Sequence, residues 1–192
     1  TLTNLNNTVN ALNTLIRSQK TLIVSTSQDH RSTDLTSFSE IVIIEGGTLI
    51  VSYEQANAIH TKRKSNNEEW VLSFTNNGNL KVLHTLATSI DVSDESSLSF
   101  NQLEVQSGTF VLNENQFLTL NSVNKTNSGT IEVLVKTAVD MSSTSLAAIS
   151  VMRVRATLSL NVAQILSVNM VVEQQGNLTL VVTQESDLTS SS

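Results

Sequence analysis

Carboxylates are the residues of this sequence with the most evident chemistry, and three of them lie close together. Asp91, Asp94 and Glu95 fall within one short stretch. Carboxylates that converge on one face can cleave a sugar polymer as general acid and base, or they can hold a calcium ion. Acidic residues beside serine are also common in solvated turns. We expect a solvated turn here, and polysaccharide cleavage is the enzymatic alternative.

The histidines lack the spacing of a catalytic or metal-binding group. Asp29 directly precedes His30, with Asp34 nearby, but consecutive side chains of a strand point to opposite faces, so the pair is poorly placed for proton transfer. His60 and His84 have no second ligand at metal-site spacing. The absence of cysteine excludes zinc–thiolate sites, iron–sulfur sites and thiol nucleophiles. We therefore expect no enzyme activity, no metal and no cofactor.

A basic run and the single tryptophan share one polar segment, residues 54–70. The segment contains Lys62, Arg63, Lys64 and Trp70, and we predict a surface loop or short helix there. These four residues form a possible binding loop, although Trp70 could instead cover the core beside the loop. The net charge of −6 opposes a nucleic-acid footprint, which needs a basic face.

Five of the six glycines begin the same short pattern, in which Thr or Asn follows glycine and apolar residues follow at alternate positions. The patterns begin at Gly47, Gly78, Gly108, Gly129 and Gly176, which are 31, 30, 21 and 47 residues apart. Glycine permits a sharp turn, and apolar residues at alternate positions share one face of a strand. The pattern therefore predicts structural turn glycines, each followed by a strand, in a repeated architecture.

The composition favours strands that are paired on both sides. The 192 residues include no proline, which cannot donate a hydrogen bond within a sheet. Hydrophobic residues make up 39% and aromatic residues only 4%, so the core should consist of thin aliphatic layers. We predict an all-β fold, a right-handed parallel β-solenoid over residues 21–184. An antiparallel β-sandwich or jelly roll is the alternative.

The N-terminal residues 1–20 follow a helical period instead. The apolar stripe consists of Leu2, Leu5, Val9, Leu12 and Ile16. Their spacing is that of a heptad, while the Asn and Thr residues around them are mediocre helix formers, so the helix needs a partner surface. We predict an amphipathic helix that acts either as an oligomerisation arm or as a cap over the first coil. The serine-rich residues 185–192 are predicted to be a tail.

The glycine motif, and residues 73–80 (Ser-Phe-Thr-Asn-Asn-Gly-Asn-Leu) in particular, resemble β-helical surface proteins. Bacterial autotransporter passengers and the N-terminal domains of fungal cell-wall adhesins have such corners before short strands. A heptad helix followed by a β region is similar to trimeric phage fibres and tailspikes. The chain departs from the fungal domains in lacking cysteine, and from the passengers in being shorter and poorer in glycine. The resemblance implies a fold and transfers no functional residue.

The expected function follows from strand edges, which either need caps or become joints between subunits. We expect a non-enzymatic extracellular structural protein, a subunit of a filament, fibre or surface layer whose partners are copies of itself. The alternative is an adhesin, or a phage or viral receptor-binding fibre, that grips a cell-surface glycan or protein. No segment has the length of a membrane span. With this function we expect a secreted protein or one on a cell or virion surface.

Overall fold

The computed structural model describes residues 4–10, 20–64, 73–126 and 128–182. Residues 4–10 are helical and belong to α1. The other helices are a 3₁₀ turn at Leu35–Ser37, α2 (Tyr53–Lys64), α3 (Glu114–Thr119) and α4 (Val162–Ser167). The strands are β1 (Thr21–Val24), β2 (Ser27–Asp29), β3 (Glu40–Ile43), β4 (Thr48–Val51), β5 (Ser73–Asn76), β6 (Asn79–His84), β7 (Ser89–Asp91), β8 (Gln102–Val105), β9 (Thr109–Asn113), β10 (Ser122–Lys125), β11 (Thr130–Val135), β12 (Val139–Asp140), β13 (Val151–Val154), β14 (Thr157–Asn161), β15 (Asn169–Val172) and β16 (Asn177–Val181).

The fold class expected from the sequence is wrong. The protein is mixed α/β, with four sheets of parallel strands and helices between strands, rather than an all-β parallel β-solenoid. The alternative antiparallel sandwich or jelly roll is also wrong, because the strand pairs in the described residues are parallel.

Helices α3 and α4 form because an asparagine ends the preceding strand and caps the helix at once. The Asn113 side chain accepts a hydrogen bond from the Gln116 N–H at 2.8 Å, and the Gln116 side chain accepts one from the Asn113 N–H at 2.8 Å. Asn161 and Gln164 repeat this capping box at the start of α4. Two of the otherwise unpaired backbone donors at each helix start are thereby satisfied.

The chain divides into two compact units, and the first contains residues 1–83 and 99–103. One of its sheets has the strand order β1-β3-β5, and the other contains β2, β4 and β6 in that order. Alternate residues of these strands are buried, as in the row formed by Leu49 and Leu80. A Cβ atom at Gly47 would lie 2.2 Å from the Val24 carbonyl oxygen, so glycine is required where β4 begins.

The second unit contains residues 84–98 and 104–192. Its larger sheet has the order β7-β9-β11-β13-β15 and its smaller sheet the order β12-β14-β16. Phe110 and Ile131 are paired in register and fully buried, as are Val133 and Met152, so neighbouring strands stack their buried apolar residues in rows. Strand β8 has residues in both units, and β10 lies in the second. The predicted boundaries after residues 20 and 184 adjoin segments outside the described residues and stay predictions.

Candidate functional site

The predicted helical stripe is exposed where the structure describes it. Leu5 and Val9 lie four residues apart in α1, on one face, and are 61% and 45% exposed. Leu2, Leu12 and Ile16 lie outside the described residues. The choice between an oligomerisation arm and a cap stays a prediction.

The predicted binding loop begins as a helix. Residues Lys62, Arg63 and Lys64 form the end of α2, and Trp70 lies outside the described residues. The first turns of α2 attach it to unit 1, because Ala56 and Ile59 are buried. The described part of this segment shows no further candidate group for binding or catalysis.

The carboxylates at residues 91–95 are used by their own turn and by one lysine. Asp91 accepts a hydrogen bond from the Ser93 N–H at 2.9 Å. Asp94 is almost fully exposed and lies 2.6 Å from the Lys136 Nζ, and this hydrogen bond lowers the pKa of Asp94. The described residues contain no group of three or more His, Cys, Asp or Glu that could hold a metal ion. The arrangement is a solvated turn with an ion pair.

Asp29 and His30 are likewise held by separate partners. The Arg31 guanidinium donates to Asp29, with Nη2 at 2.7 Å from Oδ2, and this bond lowers the pKa of Asp29. The ring of His30 contacts the Gln28 side chain at 3.1 Å instead. Asp34 caps the 3₁₀ turn that follows. No Asp–His proton-transfer pair forms from these residues.

Three glutamines, which the sequence analysis missed, each fasten an earlier turn to the start of a helix. In each case the amide nitrogen donates to two backbone carbonyls about 20 to 25 positions earlier in the chain. Gln55 binds His30 O and Thr33 O at 2.9 and 2.8 Å, Gln116 binds Val92 O and Glu95 O at 2.7 and 2.9 Å, and Gln164 binds Met141 O and Thr144 O at 2.7 and 2.6 Å. We call these contacts the glutamine clamps.

Each clamped turn begins with an aspartate that the sequence repeats. Asp29, Asp91 and Asp140 each accept a hydrogen bond from the N–H two residues further on. Further along the chain each turn is followed by a five-residue motif, Thr-apolar-any-apolar-Ser/Asn. The clamp glutamine comes three residues after the Ser or Asn. This pattern is visible in the sequence alone.

Charged side chains cover the outer face of the larger sheet of unit 2. Arg153 pairs with Glu132, and Arg155 pairs with Glu173 at 2.6 Å. The hydrogen bond between Arg155 and Glu173 raises the pKa of Arg155 and lowers that of Glu173. Together with Lys136 and Asp94 these pairs surround a shallow concavity of about 350 Å³. Each described cation here has a carboxylate partner, so the face is a balanced ion-pair surface whose exposed pairs contribute little to stability.

Within the described residues each sheet has an outermost strand on either side, and β1, β15 and β16 are three of these edge strands. β1 pairs only with β3 in unit 1, while β15 pairs only with β13 and β16 only with β14 in unit 2. None of the three contains a charged residue. Ile23 on β1 is 60% exposed and Val172 on β15 is 50% exposed. Soluble proteins usually protect such edges with charge, proline or a bulge, so these edges are suited to pairing with another chain.

A groove of about 630 Å³ follows β10 in unit 2. Residues 117–125 form one wall and residues 144–148 the other. Its lining combines aliphatic side chains with Ser, Thr and Asn, and Lys125 is its single charged residue. It is larger than the concavity of about 350 Å³ on the charged face of the larger sheet.

The chain matches no protein-family model, and no curated protein or solved structure is significantly similar to it. Among the described residues, no helix is long and apolar enough to cross a membrane. The structure therefore defines a mixed α/β protein with parallel sheets, uncharged strand edges and one polar groove, and function has to be argued from those surfaces.

Proposed function

We propose that this protein is a structural subunit that assembles with copies of itself into a filament, fibre or surface layer. The observation that carries the proposal is the pair of uncharged edges, β1 in unit 1 and β15 with β16 in unit 2. A free edge presents unpaired N–H and C=O groups, and exposed aliphatic side chains beside them add apolar area to a contact. Both features favour strand addition from a neighbouring molecule.

The two edges are suited to each other in length and direction. β1 and β15 have four residues each, and each is followed by a turn and a second edge strand, β2 or β16. β15 already pairs in parallel with β13, so its other side can accept a further parallel strand. We expect β1 of the next copy to add to β15 and β2 to add to β16. Such a contact joins different surfaces of the two copies, and it produces a filament unless it closes into a ring.

The experiment uses one edge variant on each surface, with the full chain. Ile23→Lys places a charge on the β1 edge, and Val171→Lys places one on the β15 edge, where Val171 is partly exposed. Each variant should reduce assembly, as measured by light scattering and electron microscopy. Leu86→Lys is the control, because Leu86 is exposed on a turn of unit 2 away from these strands.

Mixing the two variants tests the geometry more sharply. Ile23→Lys keeps an intact β15 edge and Val171→Lys keeps an intact β1 edge, so an equimolar mixture should give dimers that cannot extend. Wild-type protein that stays monomeric at all concentrations would refute the proposal. Assembly that neither lysine affects would refute these edges as the joint.

The exposed stripe of α1 gives assembly a second contact. Removing residues 1–19 takes away Leu5 and Val9 with the rest of the predicted stripe, and we expect weaker oligomers by light scattering. If the shortened chain still forms native oligomers, the helix does not take part in assembly, and the strand edges remain as the proposed contact.

The proposal places the protein outside the cell, or on a cell or virion surface, and includes no catalytic step. The proposed location is supported by the composition, because the chain is rich in Ser, Thr and Asn and has a net charge of −6. An adhesin or receptor-binding fibre is the second candidate, and the groove along β10 favours it as a binding surface. Edge variants that abolish assembly but leave binding to a target surface intact would favour this second function.

A further inference from the structure

We infer that the free edge of β10 is a binding site for an extended peptide strand of a partner protein that carries a carboxylate near Lys125. β10 is the last strand of its sheet. The Thr126 N–H, directly after β10, donates to the Val105 carbonyl at 3.0 Å. Since N–H and C=O groups of successive strand residues point to opposite sides, Asn124 also faces β8, and Val123 and Lys125 direct theirs to the open side.

The chain leaves this edge open because the facing segment turns instead of forming a strand. Within residues 141–150 the Thr144 N–H donates to the Met141 carbonyl at 2.8 Å, and the Ile149 N–H donates to the Leu146 carbonyl at 2.9 Å. The N–H groups of Thr144 and Ile149 are thereby paired within the segment. The groove of about 630 Å³ lies between them and β10, a volume typical of ligand sites.

The lining indicates what kind of strand would fit. Small and aliphatic side chains such as Val123 and Ala147 alternate with hydroxyl and amide groups such as Ser122 and Thr144. Lys125 is exposed, and its Nζ donates to the Ser150 hydroxyl at 2.9 Å. No carboxylate contacts Lys125 within the described residues. A strand with Thr and Val side chains and one acidic residue therefore complements both the polarity and the charge of the groove.

Backbone geometry favours a peptide over a sugar chain. The open edge offers N–H and C=O groups at every second residue, about 6.6 Å apart, which matches the repeat of another strand. Strand addition of this kind takes affinity from main-chain hydrogen bonds and specificity from side-chain pockets. The inference does not depend on self-assembly, because β10 is separate from β1, β15 and β16.

The test measures binding of a labelled hexapeptide, Thr-Val-Thr-Val-Asp-Thr, to the full chain by fluorescence anisotropy. A peptide with Lys in place of Asp should bind about fivefold more weakly, since an exposed ion pair contributes up to about fivefold in affinity. A peptide N-methylated at alternate residues should bind at least about tenfold more weakly, because it cannot complete the edge hydrogen bonds.

Two variants locate the contact. Val123→Pro removes one outward N–H and should weaken binding about tenfold, while the fold is retained because proline is tolerated on the open side of an edge strand. Lys125→Glu should reverse the preference between the Asp and Lys peptides without altering the backbone. Thr126→Ala is the control, since Thr126 follows β10, donates its N–H to the Val105 carbonyl and does not line the groove, and it should bind the peptide normally.

Equal binding of the N-methylated peptide would overturn the inference, as would Lys125→Glu with an unchanged preference. Binding of maltohexaose in competition with the peptide, unaffected by Val123→Pro, would identify the groove as a glycan site instead. Val123→Pro should still assemble like the wild type. Loss of peptide binding in this variant with normal assembly separates this site from the proposed filament contact.

Discussion

Replacing Gln116 by leucine should remove one glutamine clamp, with its two hydrogen bonds to the turn at residues 92–95. Gln116 is only 4% exposed. Its amide nitrogen donates to Val92 O and Glu95 O, and its amide oxygen accepts from the Asn113 N–H at 2.8 Å. Leucine is similar in volume, so the change removes hydrogen bonds without opening a large cavity.

The expected loss follows from those three hydrogen bonds. Each contributes about 0.5–1.5 kcal/mol net, and a buried group that loses its partner costs about 1–3 kcal/mol. Some of the freed carbonyls will reach water, so we expect the free energy of unfolding to fall by about 3–5 kcal/mol. With a urea dependence of about 2 kcal/mol per molar, the unfolding midpoint should fall by about 2 M.

Urea unfolding followed by circular dichroism measures the loss, and amide hydrogen exchange at Asn113 shows whether it is local. Asn115→Leu is the control, because Asn115 is exposed on the same helix, and it should change stability by less than about 0.5 kcal/mol. Gln164→Leu should repeat the Gln116 result, since its amide nitrogen makes the same kind of contacts at 2.7 and 2.6 Å. A loss below about 1 kcal/mol for Gln116→Leu, with unchanged exchange at Asn113, would refute the assigned role of the clamp.

Glu114→Gln should weaken the fall in the free energy of unfolding at acid pH. Burial alone would raise the pKa of Glu114, but hydrogen bonds from the Thr137 hydroxyl and nearby backbone N–H groups lower it overall. The Glu114 carboxylate therefore stabilises the folded protein above its ordinary pKa of about 4.3, and this stabilisation is lost as the pH falls through the lower pKa of the folded state. Urea unfolding midpoints measured at a series of pH values would detect the loss. The same dependence of midpoint on pH in Glu114→Gln and the wild type would contradict the prediction. Gly47→Ala should destabilise the protein by about 3 kcal/mol or more, because the added Cβ atom would clash with a carbonyl oxygen. Gly46→Ala should cost about 1–2 kcal/mol, because Gly46 has a φ of 80° but open space around it. Equal melting temperatures for the two variants would exclude the proposed clash. Asn161→Ala should lose about 1–2 kcal/mol with the helix cap, whereas Asn161→Asp should keep the cap but lose the hydrogen bond that the Asn161 amide donates to the Ser142 carbonyl at 2.7 Å, as compared in urea.

The strands were accessible from the sequence because their signal is local. β4, β6, β9, β11 and β16 each begin at the residue after a motif glycine. A Cβ atom at those glycines would lie 2.0 to 2.4 Å from a backbone carbonyl oxygen, which explains why no other residue occupies the turns. Sequence and structure therefore agree wherever close backbone contact determines the residue type.

The fold class was not accessible in the same way, because hydrophobic period says little about very short helices. α3 and α4 have six residues each, less than two helical turns, so their apolar residues read equally well as a strand. What decides between the two is the Asn-x-x-Gln capping box and its hydrogen bonds to a distant turn. The candidate site was hidden for the same reason, since the open edge of β10 depends on a facing segment that turns rather than extends.

The clamps also explain why glutamine, rather than glutamate, occupies these positions. The side chain has to accept from a strand-end N–H and donate to two carbonyls, and a neutral amide has both functions whereas a carboxylate only accepts. Gln116 does this at Asn113 N, Val92 O and Glu95 O. The turn carbonyls that each clamp binds are thereby paired within the chain. The strand contacts that we propose, at the edges of β1, β15 and β16 and at the open side of β10, would use other backbone groups than the carbonyls that the clamps bind.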